Sequence, residues 1–156
     1  MRLFVVREAE VFDLEDCAFF EAQDSQVCPD ASLKRLDLAT AIAARNIFLA
    51  CDDNGKPIGY LRIAHLWPVM MPMGQWVFVD PAWRRKGVMS GLFDFVCSTL
   101  AQRGHSRIMF SVQSDRPVVL GFMRERGLTE VGQLDCNGEG QPREIFFSTA
   151  LSADMP

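Results

Sequence analysis

Apolar positions recur with two different periods along the chain, and the places where the period changes divide it into elements. Leu3 to Val6 is a short β-rich run. From Asp13 onward, Leu14, Cys17, Ala18 and Glu21 fall at helical spacing, with Asp13 as the expected N-cap. The pattern lapses between Ser25 and Ala31, where Cys28-Pro29-Asp30 reads as a loop. It resumes from Leu33 to Ala44 as a helical stripe of Leu33, Leu36, Leu38, Ile42 and Ala43. Ile47 to Cys51 is then a buried-strand run, closed by Asp52-Asp53-Asn54-Gly55. The Asn-Gly pair signals a hairpin whose second strand is Ile58 to Ala64.

A loop rich in Met and Pro, Leu66 to Gly74, separates that hairpin from a strand over Gln75 to Asp80 that Pro81 stops. Gly87 to Arg103 carries the clearest helical signal: Val88, Leu92, Val96 and Leu100 recur every four residues, and Gly104 suits the C-terminal left-handed position. Ile108 to Val112 is a strand. A second helix follows with Ser114 or Asp115 as cap, Pro117 in its first turn and Gly127 past its end. Leu128 to Leu134 and Ile145 to Leu151 read as closing strands around the polar loop Asp135 to Pro142. The order is β-α-α-β-β-β-α-β-α-β-β. Hairpins mixed with strand–helix–strand crossovers predict an α/β chain with a mixed sheet and helices on both faces.

Composition narrows the picture. The 156 residues are 49% hydrophobic and 23% charged, with no linker, repeat or low-complexity tract, so residues 1–156 read as a single domain. Twelve Phe and three Trp supply apolar surface that a disordered chain does not carry. Lys and Arg number 16 against 20 Asp and Glu, a net charge of −4 that argues against nucleic acid as a partner. The five cysteines, at 17, 28, 51, 97 and 136, are odd in number and form no CxxC pair, so neither a metal knuckle nor a disulfide framework is expected. The apolar start is too short for a signal peptide core, and no run is long enough to span a bilayer. The expected home is a reducing cytoplasm, with no membrane partner.

The chemistry concentrates in Val77-Phe78-Val79-Asp80-Pro81-Ala82-Trp83-Arg84-Arg85-Lys86-Gly87-Val88-Met89. A strand ends, a short basic turn follows and a helix begins near Gly87. The first amides of a helix lack intrahelical partners, and the aligned peptide dipoles make that end positive. Cations are unfavourable there unless an anion joins them. Glycine lets backbone N–H groups approach such an anion, and Arg84, Arg85 and Lys86 add charge, which together suit a phosphate.

Pro81-x-x-Arg84-x-x-Gly87 between strand and helix resembles the acetyl-CoA-binding motif of the GNAT (GCN5-related N-acetyltransferase) family, whose usual pattern is Arg/Gln-x-x-Gly-x-Gly/Ala, here Arg84, Gly87 and Met89. The stretch from Val112 through Pro117 to Phe122, Gly127 and Leu128 is similar to the family's second-helix motif, and the element order resembles the GNAT fold over nearly the whole chain. The resemblance implies a twisted, mostly antiparallel mixed sheet of about six or seven strands. It also implies that the amides of Arg85, Lys86, Gly87, Val88 and Met89 bind the CoA pyrophosphate, and that the main chain of Phe78 and Val79 binds the pantetheine arm. Arg84 and Arg116 would add contacts to the cofactor, Arg116 at a phosphate.

The sequence departs from the family pattern at three positions. Met89 replaces a small residue, Arg116 stands where the family often has Asn, and Met123 stands where many members carry a Tyr that protonates the departing thiolate. Met has no proton to give. Tyr60, the only tyrosine, is expected to be a strand packing residue. The strand over Gln75 to Val79 offers no carboxylate as base, so His65, after the preceding strand, is the candidate base. His105 reads as a turn residue. Asp16, Glu21, Asp24 and Asp30 form a candidate acidic rim for a cationic amine. Met70, Met71 and Met73 with Trp67 and Trp76 suggest an apolar acceptor wall, a homodimer surface or core.

Two readings follow. The first is an N-acetyltransferase that uses acetyl-CoA as co-substrate and an amine of a small molecule, peptide or protein as acceptor. The second is a GNAT-fold module that binds CoA or a partner with weak turnover or none.

Overall fold

The computed structural model describes residues 3–23, 31–136 and 138–152. The elements are β1 (Phe4–Glu8), a 3-10 turn (Val11–Asp13), α1 (Leu14–Ala22), α2 (Ala31–Ala43), β2 (Ile47–Asp52), β3 (Pro57–Leu66) and β4 (Met71–Val79). A second 3-10 turn (Pro81–Trp83), α3 (Val88–Gln102), β5 (Arg107–Gln113), α4 (Pro117–Glu125), β6 (Thr129–Leu134) and β7 (Glu144–Ala150) complete the chain. The sheet has seven strands in the order β1-β2-β3-β4-β5-β7-β6. β4 and β5 run parallel, while β1–β2, β2–β3, β5–β7 and β6–β7 are antiparallel. This is the expected mixed, mostly antiparallel sheet. The chain divides into two compact units: residues up to Ile63 with Trp76–Val96, and Ala64–Gln75 with the chain from Cys97 on.

In the first unit, Ile47 to Cys51 is buried throughout, as a continuous apolar strand run predicts. The hairpin turn is fixed by Asp52, whose Oδ1 accepts from the Asn54 and Lys56 amides, both at 2.9 Å. Cys17 and Phe20 of α1 and Leu38, Ala41 and Ile42 of α2 pack with Ile47, Leu49, Cys51 and Tyr60, and the rings of Trp76 and Phe78 lie against this cluster. Leu36 is 65% exposed, so the buried stripe of α2 is narrower than its apolar pattern suggests. The expected loop at 25–31 lies almost wholly outside the described residues, and α2 begins at Ala31.

Asp13 does not cap α1 through its side chain. It is buried and accepts both terminal nitrogens of Arg7, at 2.7 and 2.8 Å, and the Glu10 amide at 2.7 Å. Burial acts to raise its pKa, but these donors prevail and hold the carboxyl below its ordinary range.

In the second unit, β5 pairs with β7 in unbroken register from Arg107↔Ala150 to Gln113↔Glu144. β6 is the outer strand, exposed along its length. The Met/Pro segment is a shorter loop than expected. β3 continues to Leu66 and β4 already begins at Met71, which leaves Trp67 to Met70 as an exposed tip. Neither Ser114 nor Asp115 caps α4, whose N-cap is Arg116. Ser114 Oγ instead accepts from the Arg143 amide at 3.0 Å and ties the start of α4 to the β6–β7 loop.

Candidate active site

The end of β4 and the start of α3, both in the first unit, form one continuous turn. The Asp80 amide donates to the Ile58 carbonyl at 2.9 Å, which anchors the turn to β3. Its Oδ1 accepts from the Ala82 amide at 2.8 Å and its carbonyl from the Trp83 amide at 2.8 Å. Asp80 is thus consumed in shaping the 3-10 turn.

Beyond it, Arg84 is extended and its Nε donates to the Val79 carbonyl at 3.3 Å. Arg85 has φ +61° and Gly87 φ +80°, one left-handed residue on each side of Lys86. The Gly87 carbonyl accepts from the Gly91 amide at 2.9 Å, which makes Gly87 the residue from which the 15-residue α3 unwinds. Residues that alternate in hand turn successive N–H groups toward one concave side, and a helix start adds its own positive end. A Cβ at Gly87 would meet no atom within 4 Å, so the space beside this residue is open.

The three cations of the turn are exposed, and the Lys86 ammonium lies 4.9 Å from the Trp83 ring centre. No carboxylate among the described residues forms a salt bridge with Arg84, Arg85 or Lys86. These residues fit a phosphate-bearing ligand. Met89, the departure from a small residue, is half-buried.

The second unit holds the other predicted site residues. Arg116 is exposed, with Nε 3.6 Å from Asp115 Oδ1. Met123 is 2% exposed, a packing residue of α4. His65 is not in a loop after the strand but within β3, half-buried, its ring 5.5 Å from that of His105. Burial, then electrostatic repulsion from the neighbouring His105 and Arg103 side chains, pushes its pKa below the ordinary imidazole value. The neutral imidazole, which can accept a proton, is therefore the form present at neutral pH.

Tyr60 is in the core as expected, but its hydroxyl has a partner that the sequence reading missed. It donates to Glu21 Oε1 at 2.5 Å, and burial pushes the phenol pKa up. Arg62, 7% exposed, donates Nη1 to the same Glu21 oxygen at 3.0 Å and Nη2 to Asp37 Oδ2 at 2.6 Å. Its guanidinium lies 5.4 Å from the Trp76 ring centre. Glu21 is 3% exposed, so it belongs to a buried network and not to the expected acidic rim. Asp16 is exposed, while Asp24 and Asp30 lie outside the described residues. The signal was present: a cation inside the apolar run Ile58 to Ala64 needs a buried carboxylate partner. Cys17, Cys51 and Cys97 are buried, and burial pushes the Cys17 thiol up to about 12, far from a reactive thiolate.

The family model described as the acetyltransferase (GNAT) family matches residues 9–128. No curated protein sequence matches the chain. Among solved structures, a GNAT-family acetyltransferase from Bacillus cereus is 20% identical with a TM-score of 0.76, covering 96% of this chain and 98% of that one. The ribosomal-protein-S18-alanine N-acetyltransferase from Escherichia coli is 16% identical with a TM-score of 0.77, covering 96% and 94%. A chain of the NatC complex bound to Gag peptide and CoA is 12% identical with a TM-score of 0.77, covering 96% and 99%. At these identities the likeness is one of fold.

Proposed function

Since this chain belongs to the GNAT acetyltransferase family, and is by that membership an acetyl-transferring enzyme, we propose that it moves an acetyl group from acetyl-CoA to the primary amine of a small molecule, peptide or protein. The observation that carries this reading is the pair of left-handed residues, Arg85 and Gly87, at the entrance of α3, in a turn that carries three exposed cations. That arrangement suits a pyrophosphate. In the proposed complex the amides from Arg85 to Met89 hold the pyrophosphate, while the main chain of Phe78 and Val79 holds the pantetheine arm. Lys86 and Arg84 supply charge to the phosphates, and Arg116 contributes at a phosphate. A solved structure of similar fold contains CoA, which supports the same choice of co-substrate.

The co-substrate supplies an acetyl thioester, whose carbonyl carbon the amine nitrogen attacks. The new C–N bond forms, the C–S bond breaks, and the proton lost from nitrogen passes to a base. Neutral His65 is the proposed base, directly or through water. The departing thiolate takes its proton from water, because Met123 has none to give. A thiolate leaves readily, so the loss of an acid costs at most the 10²–10⁴-fold that general-acid help is typically worth. Positioning and polarisation of the carbonyl then supply most of the acceleration.

Family membership favours the enzyme over a binding module without turnover. Incubation with acetyl-CoA and a panel of amines, followed by free-thiol detection and mass spectrometry of the amine, tests the reading. Amine-dependent thiol release with one acetyl group gained by the amine is expected. Acetyl-CoA binding without thiol release across the panel would return the module reading.

A further inference from the structure

The lysine of the turn before α3 has an aromatic partner and no counter-ion. The Lys86 ammonium lies 4.9 Å from the centre of the Trp83 ring. No carboxylate among the described residues forms a salt bridge with it. Trp83 is itself held: its amide donates to the Asp80 carbonyl at 2.8 Å, and the Asp80 amide donates to the Ile58 carbonyl at 2.9 Å. Trp83 is half-buried, whereas Lys86 is exposed. A chain of contacts thus runs from β3 through Asp80 and Trp83 to an ammonium at the surface.

An exposed lysine carries its charge on a flexible four-carbon stem. An indole face is the best aromatic seat for that charge, and it fixes where the ammonium stands without neutralising it. A cation is unfavourable beside a helix start. Here the side chain reaches back to residue 83, so its charge is held by the 3-10 turn and not by the helix. Arg84 is disposed differently, since its Nε donates to the Val79 carbonyl at 3.3 Å and its side chain folds onto the end of β4. The two cations therefore have separate seats.

CoA divides its negative charge in a matching way. The pyrophosphate is one anionic group, and the phosphate on the ribose is another. The proposed function gives the pyrophosphate to the amides from Arg85 to Met89, and the inference rests on that reading. An ammonium seated apart on the 3-10 turn then has a separate phosphate to meet.

We infer that Lys86 binds the ribose phosphate of CoA, with Trp83 as its positioning residue. The acyl donor is then a thioester of complete CoA. Thioesters of dephospho-CoA or of protein-bound phosphopantetheine lack that phosphate and are discriminated against. An N–H donor of an ammonium on a phosphate oxygen makes a charge-assisted hydrogen bond, which is roughly twice as strong as a neutral one.

Dephospho-CoA differs from CoA by that one phosphate, so the ratio of the two affinities reads the contact. Calorimetric titration of each into the full chain at low salt is expected to show CoA binding about tenfold more tightly. The ratio should shrink as added salt screens the exposed charges. Lys86→Met keeps the stem without the charge, at an exposed position, and should bind the two ligands equally. Trp83→Leu keeps an apolar side chain without the aromatic face and should lose most of the ratio. Trp83→Phe restores a ring face and should recover much of it. A purely structural role for Trp83 would shift both affinities together and leave the ratio as it is. Equal affinity of the wild type for the two ligands, or an unchanged ratio in Lys86→Met or Trp83→Leu, overturns the inference while leaving the acetyl-CoA assignment intact. Absent binding of both ligands overturns the assignment itself.

Discussion

Gly59 on β3 lies directly beneath Val88, the first residue of α3: a Cβ at Gly59 would stand 2.7 Å from Val88 Cγ1 and 3.1 Å from Leu92 Cδ1. The missing side chain lets the helix start settle onto the strand, and Gly91 does the same over Phe4, with 2.7 Å to Phe4 Cε2. These two glycines hold the entrance of α3, and with it the Arg85–Gly87 turn. Gly59→Ala should therefore lift that entrance, costing roughly 1–3 kcal/mol of stability as overpacking does. It should also weaken acetyl-CoA several-fold. Thermal unfolding and calorimetric titration of the same preparation check both. Lost stability with unchanged affinity would separate helix seating from the proposed acetyl-CoA contact.

Met123 occupies the position where the family often carries a tyrosine, yet it is 2% exposed. A tyrosine there would have to bury its hydroxyl within the packing of α4. Met123→Tyr is expected to lower stability by about 1–3 kcal/mol without raising the rate of thiol release. Denaturant unfolding and initial rates decide it. A faster variant would mean that the helix presents this position to the thiolate after all.

The depressed pKa of His65 fixes the sign of a pH effect. Above the ordinary imidazole value of 6.5 the residue is neutral whether folded or unfolded, and its contribution to stability is complete. As pH falls through that value the unfolded chain takes up the proton first, so stability is lost until the folded-state pKa is passed. His65→Gln should flatten this part of the stability profile. If His65 is the base, kcat/KM of the wild type declines on the acid side with a midpoint below 6.5, and the variant loses about 100-fold or more. Rates measured across pH for both proteins check this. An unchanged rate in the variant would pass the role of base to water or another group.

The fold was legible because its signals are local and mutually consistent. Asn54-Gly55 between two apolar runs forces the β2–β3 hairpin, and the four-residue recurrence from Val88 to Leu100 forces α3. The turn before α3 stands out in the sequence too, since consecutive cations next to a helix start are electrostatically unfavourable. What was hidden depends on contacts between distant segments. Asp13 looks like a cap in sequence, but Arg7 draws its carboxylate inward. Glu21 looks like a solvated acid on a helix, but Tyr60 and Arg62 reach it from β3, 39 and 41 residues away. The start of β4 reads as loop in the sequence because Met and Pro are not strand signals. Pairing of Met73 with Met109 and Gly74 with Phe110 in β5 overrides that local preference.

The central claim is that the Arg85–Gly87 turn at the start of α3 holds the phosphates of acetyl-CoA. Calorimetric titration of acetyl-CoA into the wild type and into Gly87→Asp tests it most directly. The variant sets a carboxylate on the turn itself, at a residue where φ is +80° and a Cβ meets no other atom within 4 Å. Binding in the micromolar range by the wild type, lost in the variant while the fold persists by circular dichroism, is the predicted result. No binding by the wild type, or equal binding by both proteins, would contradict it.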